Sequence, residues 1–380
     1  PLTPGERSRR GHRLLIEREA GPLRPGVFLE SFGGRSAGDN PAAICEDLAA
    51  HGVGAPLWWS VVDGTVRVPA GARPVVVGSP QWVEALRTSC VIVTNDHLPS
   101  WFSKREGQHL LQTWHGTPIK KLLHDAPRAV TLRYRRLMDR QVPQWDLLLA
   151  QSPQAGRRLQ QALGYRGPVR VGEHPRNVRL LGGAEVRRRV RHELGIAPGQ
   201  PVILYAPTWR ESLRPSTGAA GCAAAHGPGP VGALDGPRLA ELLDAVVLMR
   251  SHHMNRAGCV PGMIDVSGYP SVEELMLAAD ILVSDYSSIF FDFALTGKPA
   301  VVYAPDLASY RDVERGLYGD WPLGSGLPVA ADHDELASHL QRLLGDIDVA
   351  EGRYSPLEVE PAPILDNLTW IRGWIARFLS

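Results

Sequence analysis

The side chains best suited to chemistry in this sequence fall just behind short apolar runs. Ile281-Leu282-Val283 ends at Ser284-Asp285, and Tyr286-Ser287-Ser288 then opens a helical pattern from Ile289 to Leu295. Gly297 and Pro299 stop that pattern, and Ala300-Val301-Val302-Tyr303 follows as a second apolar run. Strand, turn, helix, strand is the repeating unit of a parallel sheet. The turn of such a unit lies at the carboxyl edge, where open α/β sheets bind ligands, and a helix begun there offers free N–H groups to an anion. Ser287 and Ser288 add two hydroxyls, a combination that suits a diphosphate. The competing reading is a serine cap on a core helix.

Two more runs end the same way. Val202-Ile203-Leu204-Tyr205 leads to Ala206-Pro207-Thr208-Trp209-Arg210, and Val246-Val247-Leu248-Met249 leads to Arg250-Ser251-His252-His253. Thr208, Arg210, Arg250, His252, Ser287 and Ser288 are therefore expected at the ends of three strands that share one edge. Cations, imidazole and hydroxyls converging there describe a site for a nucleotide diphosphate. In the other half, Leu110-Leu111-Gln112-Thr113 runs into Trp114-His115-Gly116-Thr117-Pro118. A His is thus held in a loop shaped by Gly and Pro, at a strand end where loops carry chemistry. The alternative is a His bound to backbone in a tight turn.

The elements that must position these groups alternate strand and helix along 380 residues, too long for one ordinary core. Strands are expected at Val27–Leu29, Leu57–Val62, Pro74–Val77, Val91–Thr94, Leu147–Leu149 and Val169–Gly172. Helices are expected at Pro41–Ala50, Gln81–Arg87, Pro153–Leu163, Ala184–Leu194, Ser271–Ala279, Asp334–Leu344 and Leu368–Leu379. The arginines from Arg187 to Arg191 read as mostly solvated face. Gly33-Gly34-Arg35-Ser36-Ala37-Gly38 does not match GxGxxG, so no dinucleotide site is assigned, and Ser36 and Asn40 read as helix caps. Residues 211–235 are rich in Gly, Ala and Pro and read as a flexible excursion. The expected division is a basic tail at 1–25, an N-terminal domain at 26–178, a C-terminal domain at 179–360 and a last helix at 361–380.

The net charge of +1 gives no global field toward nucleic acid, and the hydrophobic fraction of 44% suits a globular chain. The four cysteines form no CxxC pair, which argues against a zinc knuckle and fits a reducing cytosol. No apolar run reaches the ~20 residues of a membrane span. No signal peptide is evident, and the chain begins at Pro1 rather than Met, as a fragment would. Between Lys120 and Arg140, the cations Lys120, Lys121, Arg128, Arg133, Arg135, Arg136 and Arg140 face only Asp125 and Asp139. Such a run suits a phosphate-bearing acceptor or an anionic membrane surface, unless it is simply a solvated helix face.

Five stretches taken together resemble the CDP-glycerol glycerophosphotransferase family, which includes teichoic acid primases and polymerases. They are QTWHGTPIKKL (112–122), HPRNV (174–178), YAPTWR (205–210), RSHH (250–253) and SDYSSIFFDFALTGKPAVVY (284–303), with LASYRDVERGLY (307–318) also similar. The family carries Asp where Val178 stands. The resemblance implies GT-B architecture: two Rossmann-like α/β domains facing across a cleft, the second holding the donor nucleotide and the last helix crossing back to the first. It implies His115 and His252 as catalytic residues, His115 as general base, with His252, Ser287 and Ser288 on the donor pyrophosphate. Gly116, Thr117, Pro207, Thr208, Arg210, Arg250, Ser284, Asp285 and Asp292 are then expected to line the substrate, and Lys120, Lys121, Arg133, Arg135 and Arg136 to meet an anionic acceptor. The implied reaction moves glycerol phosphate from CDP-glycerol to a hydroxyl of a lipid-linked or polymeric acceptor and releases CMP, at the cytoplasmic face of the membrane. Because no DxD or clustered carboxylates mark a strand end, neither metal nor cofactor is expected. A CDP-ribitol donor, a GT-B glycosyltransferase using a nucleotide sugar, and a non-catalytic protein binding anionic polymer or lipid are the alternatives.

Overall fold

The computed structural model describes residues 20–126, 129–208, 234–250, 263–346 and 359–379. The expected contributions of His252 and Arg210, most of the basic tail and most of the 211–235 excursion fall outside those residues.

The chain divides into two compact units. The first comprises residues 1–117, 130–178 and 361–380, and the second comprises 118–129 and 179–360. The basic run between Lys120 and Arg140 is therefore split. Lys120 and Lys121 belong to the second unit, while Arg133, Arg135 and Arg136 belong to the first.

In the first unit the elements run β1 (Arg24–Glu30), α1 (Asp39–Ala50), β2 (Leu57–Val61), β3 (Arg73–Val76), α2 (Pro80–Thr88), β4 (Ser89–Thr94), β5 (His109–Gln112), α3 (Leu132–Gln141), β6 (Leu147–Ala150), α4 (Pro153–Leu163) and β7 (Val169–Val171). All pairings are parallel, in the order β3-β2-β1-β4-β5-β6-β7. The central strands read as unbroken apolar runs because helices cover both faces of such a sheet. Val27, Phe28, Leu29, Val91, Ile92, Val93 and Leu111 are accordingly all fully buried. The order turns back between β1 and β4, the switch point where parallel sheets open a crevice at their carboxyl edge.

The second unit runs α5 (Gly183–Glu193), β8 (Val202–Ala206), α6 (Gly236–Leu243), β9 (Val246–Met249), β10 (Met263–Asp265), α7 (Val272–Ala278), β11 (Ile281–Ser284), α8 (Ile289–Ala294), β12 (Ala300–Tyr303), β13 (Val329–Ala330) and α9 (His333–Asp346). Its sheet is also parallel, in the order β10-β9-β8-β11-β12-β13, with the switch point between β8 and β11. The helix α10 (Pro361–Ala376) groups with the first unit. There the Asn367 amide donates to the Glu173 carbonyl at 2.7 Å, and Arg372 pairs with Asp47 of α1.

Two of the four arginines of α5, Arg187 and Arg191, are not the solvated face that the sequence suggested, while Arg188 and Arg189 are exposed as expected. Arg187 donates to the carbonyls of Leu277, Ala278 and Ala279 and to the Asp280 carboxylate. Arg191, buried, donates to the Ala278 carbonyl and to the same carboxylate. Lys298 adds bonds to the carbonyls of Met276, Leu277 and Ala279 at 2.7–3.0 Å. A helix ends with orphan carbonyls and a negative dipole, so cations gathered at the end of α7 satisfy both. Burial, reinforced by the neighbouring guanidinium of Arg187, pushes the Lys298 ammonium down to about 7.

Candidate functional site

The loop behind β5 carries one exposed residue, His115, among buried neighbours. Trp114 before it is left-handed at φ 52°, and Gly116 after it has φ 150°, a value open only to glycine without strain. Side chains from elsewhere in the unit grip this turn. The Gln112 amide oxygen accepts from the Trp114 N–H at 2.9 Å. The Asn40 amide donates to the Trp114 carbonyl at 3.3 Å, and the Arg176 guanidinium donates to the His115 carbonyl at 3.0 Å. Arg176 also pairs with Asp39 at 3.0 Å, each side chain 8% exposed, and its N–H donates to the Asn40 oxygen. Asn40 therefore holds the His loop and does not cap α1. The residue before that helix is Gly38, which makes no side-chain cap, and Ser36 accepts from the Gly38 N–H.

The imidazole itself is flanked by two rings. Trp114 stacks on it at 4.7 Å and 20°, and Phe32 lies 5.8 Å away. Its Nδ1 is 2.9 Å from the carbonyl oxygen of Asn95, the residue directly behind β4. Among the described residues no hydrogen bond to Nε2 is formed. Thr117 donates its hydroxyl to Gln151, which donates in turn to Glu173. The β1–β4 switch point also buries Glu30, whose carboxylate accepts from the Ser60 hydroxyl at 2.7 Å and is pushed up to about 7 by burial. Packing there is close: a Cβ on Gly34 (φ 80°) would lie 3.0–3.2 Å from Val77, the Ser60 hydroxyl and the Val61 backbone.

In the second unit the loops behind β8 and β11 are tied together at their switch point. Asp285 accepts from the Thr208 N–H and hydroxyl and from the Tyr286 N–H, and the Ser284 hydroxyl donates to the Ala206 carbonyl at 2.6 Å. Pro207 and Thr208 are half-buried between them, as are Ser287 and Ser288. The Ser287 hydroxyl accepts from the Ile289 N–H at 3.3 Å, while Ser288 makes no side-chain cap bond. The helix they open, α8, has only six residues, and Asp292 within it is buried. Arg250, behind β9, donates to the carbonyls of Val266 and Tyr269 at 3.2 and 2.8 Å. Thr208, Ser284, Asp285, Ser287 and Ser288 thus stand on one carboxyl edge, with Asp285 and Ser284 joining the loops.

Among the expected acceptor-binding cations, Arg133 and Arg136 are exposed on α3 and Arg135 is half-buried. Lys121 donates its backbone N–H to the Gly316 carbonyl, and Lys120 forms an antiparallel bridge with Leu317. Sequence reasoning missed Asn95 as a residue that holds His115, and the one signal for Arg176 was its place in the HPRN stretch.

Two parallel α/β units, each with polar loops at its switch point, make a protein of the GT-B fold. The chain belongs to the CDP-glycerol:poly(glycerophosphate) glycerophosphotransferase family, whose model matches residues 22–358. It is 29% identical over 347 residues to a teichoic acid poly(glycerol phosphate) polymerase of Staphylococcus epidermidis, covering 87% of this chain and 47% of that protein. It is 30% identical over 331 residues to a teichoic acid glycerol-phosphate transferase of Staphylococcus aureus, covering 83% of each. Among solved structures, wall teichoic acid polymerase TagF matches with a TM-score of 0.81 at 26% identity, over 98% of this chain and 94% of that one. The chain spans about half the length of the S. epidermidis polymerase and of the corresponding Bacillus subtilis polymerase.

Proposed function

We propose that this chain transfers glycerol phosphate from CDP-glycerol to a hydroxyl of an anionic lipid-linked or polymeric acceptor, in teichoic-acid-like polymer synthesis. The observation that carries the proposal is His115: the exposed residue of a buried, strained loop, in a member of this family. The acceptor hydroxyl attacks the phosphorus that bears glycerol, and the bond from that phosphorus to the oxygen of CMP breaks. The hydroxyl proton passes to His115, since imidazole is the side chain that exchanges a proton near neutral pH. In the second unit, Thr208, Ser287 and Ser288, with His252 and Arg210, bind the diphosphate and stabilise the charge that develops on CMP. Asp285 and Ser284 shape those loops.

No described helix is long and apolar enough to cross a membrane. The exposed arginines of α3 are the proposed contact with an anionic surface, which would keep the enzyme at the inner face of the cell membrane. The test is a donor panel of CDP-glycerol, CDP-ribitol and UDP-sugars, scored by nucleotide release with and without a glycerol-phosphate-primed acceptor. Acceptor-dependent CMP release from CDP-glycerol is expected. Preferential turnover of CDP-ribitol would reassign the donor, and release of UDP would overturn the reaction class.

A further inference from the structure

We infer that Asn95 is the residue that positions His115 and decides which of its nitrogens takes the proton; this rests on the reading of His115 as the general base. The Asn95 carbonyl oxygen faces the imidazole. A carbonyl oxygen has no proton to give, so its 2.9 Å contact with Nδ1 is a hydrogen bond only when Nδ1 carries the proton. In the neutral ring the lone pair is then on Nε2. When Nε2 accepts a proton the ring becomes a cation, and the bond to Asn95 becomes charge-assisted and is retained.

The carbonyl is held in place by its own side chain. Asn95 is fully buried. Its amide oxygen accepts from the Phe32 N–H at 2.8 Å, and its amide nitrogen donates to the Ser31 hydroxyl at 3.1 Å. Ser31 passes the tie on by donating to the Gly38 carbonyl at 2.9 Å. Ser31 and Phe32 directly follow β1, and Asn95 directly follows β4, so this one amide staples the two strands that flank the switch point. It also fixes Phe32, left-handed at φ 49°, whose ring lies against the imidazole. One side chain therefore places two of the three groups that surround the ring, the carbonyl on Nδ1 and the Phe32 face. The third, Trp114, is held independently through Gln112 and Asn40.

The test is nitrogen NMR on protein labelled with 15N-histidine, recorded above the imidazole titration, with His115 assigned from the signal missing in His115→Gln. The wild-type ring should carry its proton on Nδ1. In Asn95→Ala both tautomers should appear, and CMP release from CDP-glycerol should fall about 10²-fold, the usual cost of a small misplacement of a reacting group, with the donor KM unchanged. Ser31→Ala, which removes the partner of the Asn95 amide nitrogen and the bond to the Gly38 carbonyl but leaves the Asn95 amide oxygen on the Phe32 N–H, should show a smaller change in the same direction. A wild-type ring protonated on Nε2 overturns the proposal whether or not Asn95→Ala folds. So does an Asn95→Ala protein that keeps the Nδ1 tautomer and wild-type turnover. If the tautomer behaves as stated but no donor in the panel is turned over, the positioning of His115 stands and the functional reading fails.

Discussion

Replacing Arg176 tests how the His115 loop is held. Its guanidinium is 3.0 Å from the Asp39 carboxylate and 3.0 Å from the His115 carbonyl, and both charged side chains are 8% exposed. Removing one member of a buried ion pair costs about 3–5 kcal/mol, because the other charge stays behind without its partner. Asp39 keeps one further donor, the Asn40 N–H at 2.6 Å, so the low end, about 3 kcal/mol, is the expected loss for Arg176→Gln. In a unit of this size that lowers the melting temperature by about 6–12 °C. The pair can be isolated by a double-mutant cycle with Asp39→Asn, followed by urea denaturation of all four proteins. The coupling should be about 1.5 kcal/mol or more, as for residues joined in one network. Turnover should fall further than stability explains, because the freed His115 carbonyl lets the ring shift. Single substitutions within about 0.5 kcal/mol of wild type, the range of an ordinary surface change, would refute the reasoning.

Other expectations follow from the same geometry. Asp280→Asn leaves the guanidinium groups of Arg187 and Arg191 without their shared carboxylate, so it should cost about 3 kcal/mol or more, read by thermal melting; an unchanged melt would return those arginines to the surface. Glu30 binds a proton in the folded state up to about 7, whereas its ordinary value is 4.5. The folded state therefore holds a proton that the unfolded chain has lost in this window, so its stabilising contribution is complete below 4.5 and disappears as pH rises to about 7. That gap corresponds to about 3 kcal/mol, and Glu30→Gln should flatten the decline between pH 5 and 8 in urea titrations; an identical slope in the variant contradicts it. Neutralising Arg133, Arg135 and Arg136 together should weaken binding to anionic vesicles and flatten its salt dependence, since exposed charges are screened over about 10 Å at 0.1 M salt. Wild-type vesicle binding in that triple variant would reduce the α3 arginines to a solvated face.

The central strands were legible in the sequence because a doubly covered parallel strand must be an uninterrupted apolar run. Helix α4 was legible to the residue, since Ser152 caps its start and Gly164, at φ 67°, ends it. The strands β10 and β13 were not anticipated, being three and two residues long at the sheet margins, where little apolar surface is needed. Arg187 and Arg191 were misread because a basic helical run looks solvated until its partner is seen, and Asp280 lies 93 and 89 residues further on. The loop that presents His115 could be found from its Gly and Pro residues. The residues that hold it could not, because Asn40 opens a helix and Asn95 follows a strand, places where an amide ordinarily caps or turns the backbone, and their partners lie 74 and 63 residues away. The basic run after His115 looked like one patch, yet the chain passes from the second unit back to the first within it.

The central claim is that His115 takes the acceptor proton in transfer from CDP-glycerol. It is tested most directly by comparing His115→Ala with wild type in two measurements on the same preparations: acceptor-dependent CMP release, and CDP-glycerol affinity by calorimetry. Release should fall by about 10²–10⁴-fold, the usual contribution of a positioned base, with donor affinity unchanged. Near wild-type release from the variant would contradict it.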